Sequence, residues 1–308
     1  MNPVTTFRCL TLAAALAAAC YSLPAAAGTG TPKPPEVKIG KVEVAPNIHM
    51  LLGVGGFTGG NVAALTGEDG LLIVDDKLVD FSAPLEKALD ALGKGRPKFV
   101  LNTHWHFDHV GGNERFGGAV IVAHDNVRKL MSAPQEFKTL QRKLPASPAA
   151  ALPDVTYNDR LTIHFNGEEI QLHHFPGGHT DGDSVVYFRN ANVLHLGDLF
   201  FNGMFPFADY EHGGNAFGLT RNIGIILERF PADAKVIPGH GPLATMADLR
   251  AFHAMLQATT KIVKDAADKG MDLAAITAQG FPPEWKKWEW GFIDSAKWIS
   301  LIHASLGK

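Results

Sequence analysis

Residues 102–112, NTHWHFDHVGG, place His104, His106, Asp108 and His109 within one short stretch. Imidazole nitrogen and carboxylate oxygen are the donors that divalent cations bind. The stretch follows KFVLN, which reads as a buried strand, and runs into a Gly-Gly turn. At a strand end, residues two apart point the same way, so His104 and His106 can grip one ion. Asp108 and His109 fall in the turn and can face a second position. A polar loop of hydrogen-bonded histidines is the competing explanation, and it gives no reason for the crowding.

Such a site needs donors from elsewhere in the chain. Three later stretches supply them, each at the end of an expected strand. PGGHTDGDS offers His179, VLHLGDLFF offers Asp198, and VIPGHGPL offers His240 between glycines that permit close backbone approach.

The elements that position these residues follow from periodicity. VEVAPNIHMLLG, NVAALTGEDG and LLIVDD are apolar runs split by turn signals, with a hairpin turn at GEDG, 67–70. A helix is expected from Ser82 or Pro84, because Leu85, Ala88, Leu89 and Leu92 share one face and Gly93 and Gly95 end it. AVIVAH reads as a strand and DNVRKLMS as a helix; residues 132–154 read as irregular. The second half repeats the order: strands LTIHF, EEIQLHHF, SVVYF and NVLHLGD, a helix LTRNIGIILERF, a strand AKVIPGH, and a long helix over about 247–267. PPEWKKWEWGF and AKWISLIHASL read as docking helices. Two halves of this kind imply an α/β fold, a four-layer αββα sandwich of two mixed β-sheets with helices on the outer faces.

An apolar content of 46% against 19% charged residues is that of a globular chain, and a net charge of −3 gives no footprint for nucleic acid. Residues 1–27 read as a secretory signal: Arg8, an apolar run too short to span a membrane, then a small-residue site at 25–27. Cys20, in LAAAC, offers a second reading as a lipid-acceptor cysteine. Both cysteines, Cys9 and Cys20, lie in this segment, so cleavage after Ala27 leaves only nitrogen and oxygen ligands for a metal. The expected location is periplasmic or secreted. Residues 28–40 read as a flexible lead-in and 41–308 as a single domain.

VDD (74–76), HWHFDH (104–109), GGHT (177–180), GD (197–198) and PGHG (238–241), in this order, resemble the metallo-β-lactamase superfamily from about Val42 to Ala267. The resemblance implies His104, His106 and His179 as ligands of a first metal, and Asp108, His109 and His240 as ligands of a second. It implies Asp198 as the bridging carboxylate and Asp75 as the strand-end aspartate that orients the ligand loop; Asp76 could share that role. Two Zn²⁺ are expected, with iron or manganese as alternatives. The implied reaction is attack by a metal-bridging hydroxide on an ester, lactone, thioester or amide of a small molecule, with Asp108 orienting the nucleophile.

The absence of cysteine from the expected mature chain excludes β-lactamases with a Cys ligand. Asp198 departs from the all-His second-site β-lactamases, which usually carry a small residue there. The bridging GD is similar to glyoxalase II, but Lys286 and Lys287 are a thin substitute for that enzyme's basic glutathione patch. The alternatives are an iron-dependent redox enzyme similar to persulfide dioxygenases, or a β-lactamase of the all-His type. Phe57 in GVGGFTGGN is expected at the substrate pocket. So are Phe201, Phe205, Phe207, Tyr210 and His212 in FFNGMFPFADYEHGG. Trp105 and Phe107 are expected to pack beneath the site, and the tryptophans of the tail to dock a helix or stack on a ligand. Oligomeric state is left open.

Overall fold

In the computed structural model, which describes residues 36–307, the hairpin signals come first. β1 (Lys38–Ala45), β2 (Ile48–Val54), β3 (Val62–Gly67) and β4 (Gly70–Val74) form an antiparallel meander, with Gly67 opposite Gly70 at the GEDG turn. β1 begins inside the stretch expected as lead-in, because Lys38, Ile39 and Gly40 pair with Val54, Gly53 and Leu52. The signal segment lies outside the described residues.

α1 (Ser82–Asp90) then crosses to β5 (Pro97–Leu101), followed by the single turn α2 (Phe107–Val110), β6 (Val120–His124) and α3 (Asp125–Met131). Residues 132–154 are not irregular throughout. They contain the hairpin of β7 (Gln135–Phe137) and β8 (Arg142–Leu144), too short and polar to show alternation in sequence. β9 (Val155–Tyr157) completes a seven-stranded mixed sheet, antiparallel through β4 and parallel from β4 to β9.

The second sheet has six strands in sequence order: β10 (Arg160–Phe165), β11 (Glu168–His174), β12 (Ser184–Phe188), β13 (Val193–His195), β14 (Lys235–Ile237) and β15 (Ala244–Thr245). It is antiparallel except between β13 and β14, which α4 (Ala216–Arg229) connects. α5 (Met246–Asp268) starts on a Thr245–Asp248 capping box, so its first orphan amides are bonded. α6 (Leu273–Gln279), unforeseen in the sequence, and α7 (Ser295–Ala304) follow. PPEWKKW forms a 3₁₀ helix rather than a docking α-helix.

The central strands are buried on both faces, and the period of two sorts their side chains. In β4, Leu72 and Val74 join Ile170, Leu172 and Val186 of the other sheet in a shared core. Leu71 and Ile73 point the other way, against Leu85 and Leu89 of α1. On the far face of the second sheet, Val185 and Leu194 pack with Ile223 of α4, Phe252 of α5 and Trp298 of α7. These three cores make the four layers of an αββα sandwich. Leu85 and Leu89 are essentially inaccessible, so truncating either to alanine costs about 2–5 kcal/mol. Among the described residues no helix is long and apolar enough to cross a membrane.

Candidate metal centre

The strand ends converge on one edge of the sandwich. β4 delivers Asp75, β5 leads to His104, His106 and α2, the β11–β12 loop carries His179, β13 leads to Asp198, and β14 to His240. All seven side chains proposed as ligands come together there. His104, His106, His179 and Asp198 form one group of candidate ligand atoms, and Asp108, His109 and His240 another. Asp198 spans them. Its Oδ2 lies 3.5 Å from His179 Nε2 and 3.9 Å from His104 Nε2. Its Oδ1 lies 3.1 Å from His109 Nε2 and 3.3 Å from His240 Nε2. Asp108 Oδ2 is 3.4 Å from His240 Nε2.

The outer partners of the imidazoles decide where their protons sit. His109 Nδ1 is 2.7 Å from Asp75 Oδ2, and a carboxylate only accepts, so Nδ1 holds the proton. Thr103 Oγ1 donates to the same carboxylate and therefore accepts from His104 Nδ1. His179 Nδ1 donates to the Phe207 carbonyl at 2.6 Å, and His106 Nε2 to Asp209 Oδ2 at 2.9 Å. His104, His106 and His179 are each thereby left with a bare nitrogen aimed inward. His106 Nδ1 and His179 Nε2 are only 2.8 Å apart, and His104 Nε2 and Asp198 Oδ1 are buried without a hydrogen-bond donor. Converging lone pairs repel unless a cation lies among them, so the residues fit metal ions on their own geometry.

Charge points the same way. Burial, reinforced by the His109 and His179 imidazoles, holds His104 well below the usual histidine range; burial brings His179 down to about 4. Both are neutral donors. Around the other group burial is outweighed: Asp198, Asp108 and Asp75 raise His109 well above its ordinary value, and Asp198 and Asp108 raise His240 to about 9. Against burial, His109 and His240 draw Asp108 down to about 2. These carboxylates demand positive charge, supplied by protons or by a cation.

Asp75 and Asp76, indistinguishable in sequence, do different work. Asp75, in a left-handed conformation, touches His109 and Thr103. Asp76 instead accepts from the Gly112 amide and fixes the turn. Two glycines are demanded by close approach. A Cβ on Gly60 would lie 2.1 Å from the His109 ring, and one on Gly239 would lie 2.0 Å from Asp198 Oδ1. His195 bonds the Asn61 carbonyl and the Gly197 amide and so ties the Asp198 turn to the 53–61 loop.

A cavity of about 370 Å³ opens over the cluster, with His106, Asp108, Asp198 and His240 among its lining. Phe57, Phe201 and Phe207 line it. Phe205, Tyr210 and His212 do not. Phe205 is fully buried against Phe281 and Trp298. Tyr210 bonds Thr139 through its hydroxyl, away from the cavity. His212 packs behind the cluster on Trp105 and Phe137 and donates to Asp209. Trp105 is buried beneath the site, whereas Phe107 lines the cavity with Arg142 over its ring.

Two residues were invisible to sequence reasoning. Asp209 sits inside the aromatic loop, and only its meeting with His106 gives it a role. Lys77 is fully buried, its Nζ donating to Thr58 Oγ1 and the Gly60 carbonyl. Its one signal is a lysine directly after the apolar LLIVDD run.

A sequence model described as the metallo-beta-lactamase superfamily matches residues 55–240. An uncharacterised protein of Aquifex aeolicus (strain VF5) is 29% identical over 189 residues, 59% of this chain and 88% of that one. A hydroxyacylglutathione hydrolase of Pelagibacter ubique (strain HTCC1062) is 30% identical over 109 residues, 34% of this chain and 37% of the relative. The match thus spans little more than a third of that enzyme's length. Among solved structures, the stereoselective inverting sec-alkylsulfatase Pisa1 from Pseudomonas sp. superposes with a TM-score of 0.66 at 16% identity, covering 87% of this chain and 50% of its own. At that identity the likeness is one of fold.

Proposed function

The chain belongs to the metallo-beta-lactamase superfamily and is a metal-dependent hydrolase of that fold; from this premise we propose that it is an exported enzyme with two divalent cations, zinc in the first instance, that hydrolyses an ester, lactone, thioester or amide of a small molecule. The observation that carries the reading is the set of three imidazoles, His104, His106 and His179, whose outer nitrogens are tied down and whose bare inner nitrogens converge beside Asp198.

His104, His106 and His179 would hold one cation, Asp108, His109 and His240 the other, and Asp198 would touch both. When bound, the cations supply Lewis acidity to the scissile bond and acidify the attacking water. The protein's own part is placement. Asp108, ionised and facing the cavity, would accept a hydrogen bond from the attacking water and orient it. Asp75 and Asp209 hold the rings that flank it.

The deciding experiment is metal analysis of protein purified from the periplasm, with esters, lactones, thioesters, amides and β-lactams assayed on the same sample. Two zinc ions per chain, and turnover lost in Asp108→Ala and His240→Ala, are expected. A wild-type rate in either variant sinks the reading, and bound iron with oxygen uptake replaces it by redox chemistry. Export rests on residues 1–27 and is checked by the N-terminus of the purified protein, expected at Gly28.

A further inference from the structure

The wall of the cavity opposite the cluster comes from a segment that the ligand motifs do not touch. Trp290, Gly291 and Phe292 line it. They are fixed by Phe205, whose amide donates to the Trp288 carbonyl and whose carbonyl accepts from Trp290 Nε1 at 2.9 Å. The indole's one polar group is thus consumed by backbone, and its ring is left as bare apolar surface. Ring contacts continue from there in both directions. Trp290 meets Phe201, which stacks on His240, and Phe292, which meets Phe207 beside His106. Phe137 and Leu140 of the β7–β8 hairpin line the cavity too, next to Phe107.

The polar inventory of this lining is short. His106, Asp108, Asp198 and His240 belong to the metal cluster, and every other lining residue is aromatic, Leu140 or Gly291. Among the described residues, no lysine or arginine lines it. Two cations beside lining rings are turned to other uses: Arg142 lies over the Phe107 ring and Lys297 over the Phe292 ring, each at 3.9 Å, and neither lines the cavity. Lys286 and Lys287 are exposed and do not line it either. Among the described residues, two of the five exposed large apolar side chains, Phe57 and Phe292, stand at this lining. Exposed aromatics gathered around one opening mark a binding surface.

We propose that this centre selects substrates whose group beside the scissile bond is uncharged and apolar, an aromatic ring or bulky alkyl, and discriminates against those that carry a carboxylate there. The inference rests on the reading of the cluster as a hydrolytic centre and adds the substrate class. For an ester, water oxygen bonds to the acyl carbon and the bond to the alcohol oxygen breaks. One water proton goes to the alcohol, and the other is released as the acid ionises. Burying a phenyl ring in the cavity favours binding. A carboxylate held against the aromatic wall, away from the cluster, loses its hydration and meets no lysine or arginine there.

The test compares methyl acetate, methyl phenylacetate and the para-carboxylate of methyl phenylacetate on metal-loaded protein, with acid release followed by titration. Methyl phenylacetate is expected to exceed methyl acetate in kcat/KM by about tenfold or more, and the para-carboxylate to forfeit that gain. Trp290→Ala and Phe292→Ala should each reduce the ratio of phenylacetate to acetate several-fold. Phe292, at the exposed mouth, is the variant less tied to folding. Calorimetry with phenylacetone and its para-carboxylate reads the same preference without turnover: the neutral ketone binds, its carboxylate binds about tenfold more weakly or not at all, and Phe292→Ala weakens the ketone. Equal or better performance of the carboxylates, or a preference indifferent to both variants, overturns the inference. If no ester is cleaved but the calorimetric preference holds, ester hydrolysis fails and the apolar specificity stands.

Discussion

Asp209 Oδ2 lies 2.9 Å from His106 Nε2 and 2.7 Å from His212 Nδ1, so one buried carboxylate fixes two imidazoles at once. Burial alone would raise the Asp209 carboxyl; the bonds from His106 and His212 outweigh it and hold the group well below the usual carboxylate range. The ionised Asp209 accepts from His106 Nε2, which turns Nδ1 of that ring toward the cluster. The link is long-range, between a loop after β13 and the turn after β5.

Removing that carboxylate frees the His106 ring. Asp209→Ala is expected to weaken metal binding by about 10- to 100-fold, read by titration of the metal-free protein with zinc against a competing chelator. Asp209→Asn, whose amide oxygen still accepts from Nε2, should recover part of the loss. An affinity unchanged in Asp209→Ala would show that packing alone orients His106.

Lys77 gives a prediction with a sign. Burial lowers its ammonium to about 7, against the pull of Asp108 and Asp75, whereas in the unfolded chain it titrates near 10.5. Between those values the unfolded state binds the extra proton, so the contribution of this group to stability rises with pH from about 7 to about 10.5. Lys77→Met removes the dependence. It also strands Thr58 Oγ1 and the Gly60 carbonyl, a loss of about 1–3 kcal/mol where the neutral amine would have bonded them. The difference in unfolding free energy, wild type minus variant, should grow between pH 7 and pH 10 in urea titrations. A flat or falling difference contradicts the assignment.

The parts of this centre that were legible in sequence are those whose chemistry is local. His104, His106, Asp108 and His109 lie on one strand-to-turn connection, and His179, Asp198 and His240 each follow a strand in a glycine-rich turn, so spacing reported them. The apolar runs of β3 and β4 between turn signals and the spacing of Leu85 and Leu89 reported the layers in the same way. What stayed hidden depends on partners far off in the chain. Asp209 acquires its role from His106, 103 residues away. Phe201, Phe205 and Phe207 look alike within one loop, and only the docking of the tail sends Phe205 into the core and the others to the cavity. The β7–β8 hairpin carries too few residues to show a period. It is held instead by Phe137 stacking on Trp105 and by a side chain from another loop.

That side chain is Glu211, and it yields the last prediction. Its carboxylate accepts from the amides of Lys138 and Thr139 and from Thr139 Oγ1, bonds that outweigh burial and lower its pKa. It so anchors the turn between β7 and β8, whose Phe137 and Leu140 line the cavity. Lys143–Glu136, at 3.6 Å between exposed groups, adds little. Glu211→Ala should therefore release the hairpin without disturbing the cluster, since Glu211 touches none of the seven proposed ligands. Hydrogen exchange is expected to accelerate over residues 135–144 by about tenfold, the equivalent of roughly 1.4 kcal/mol of local stability. The metal content should stay that of the wild type. KM for an apolar ester should rise several-fold while kcat changes less, because the hairpin contributes cavity wall and not the reacting groups. Loss of metal in this variant would mean that the hairpin also supports His106 through Phe137, which lies 5.4 Å from that ring. Unchanged exchange would show that Phe137 stacking suffices to hold it.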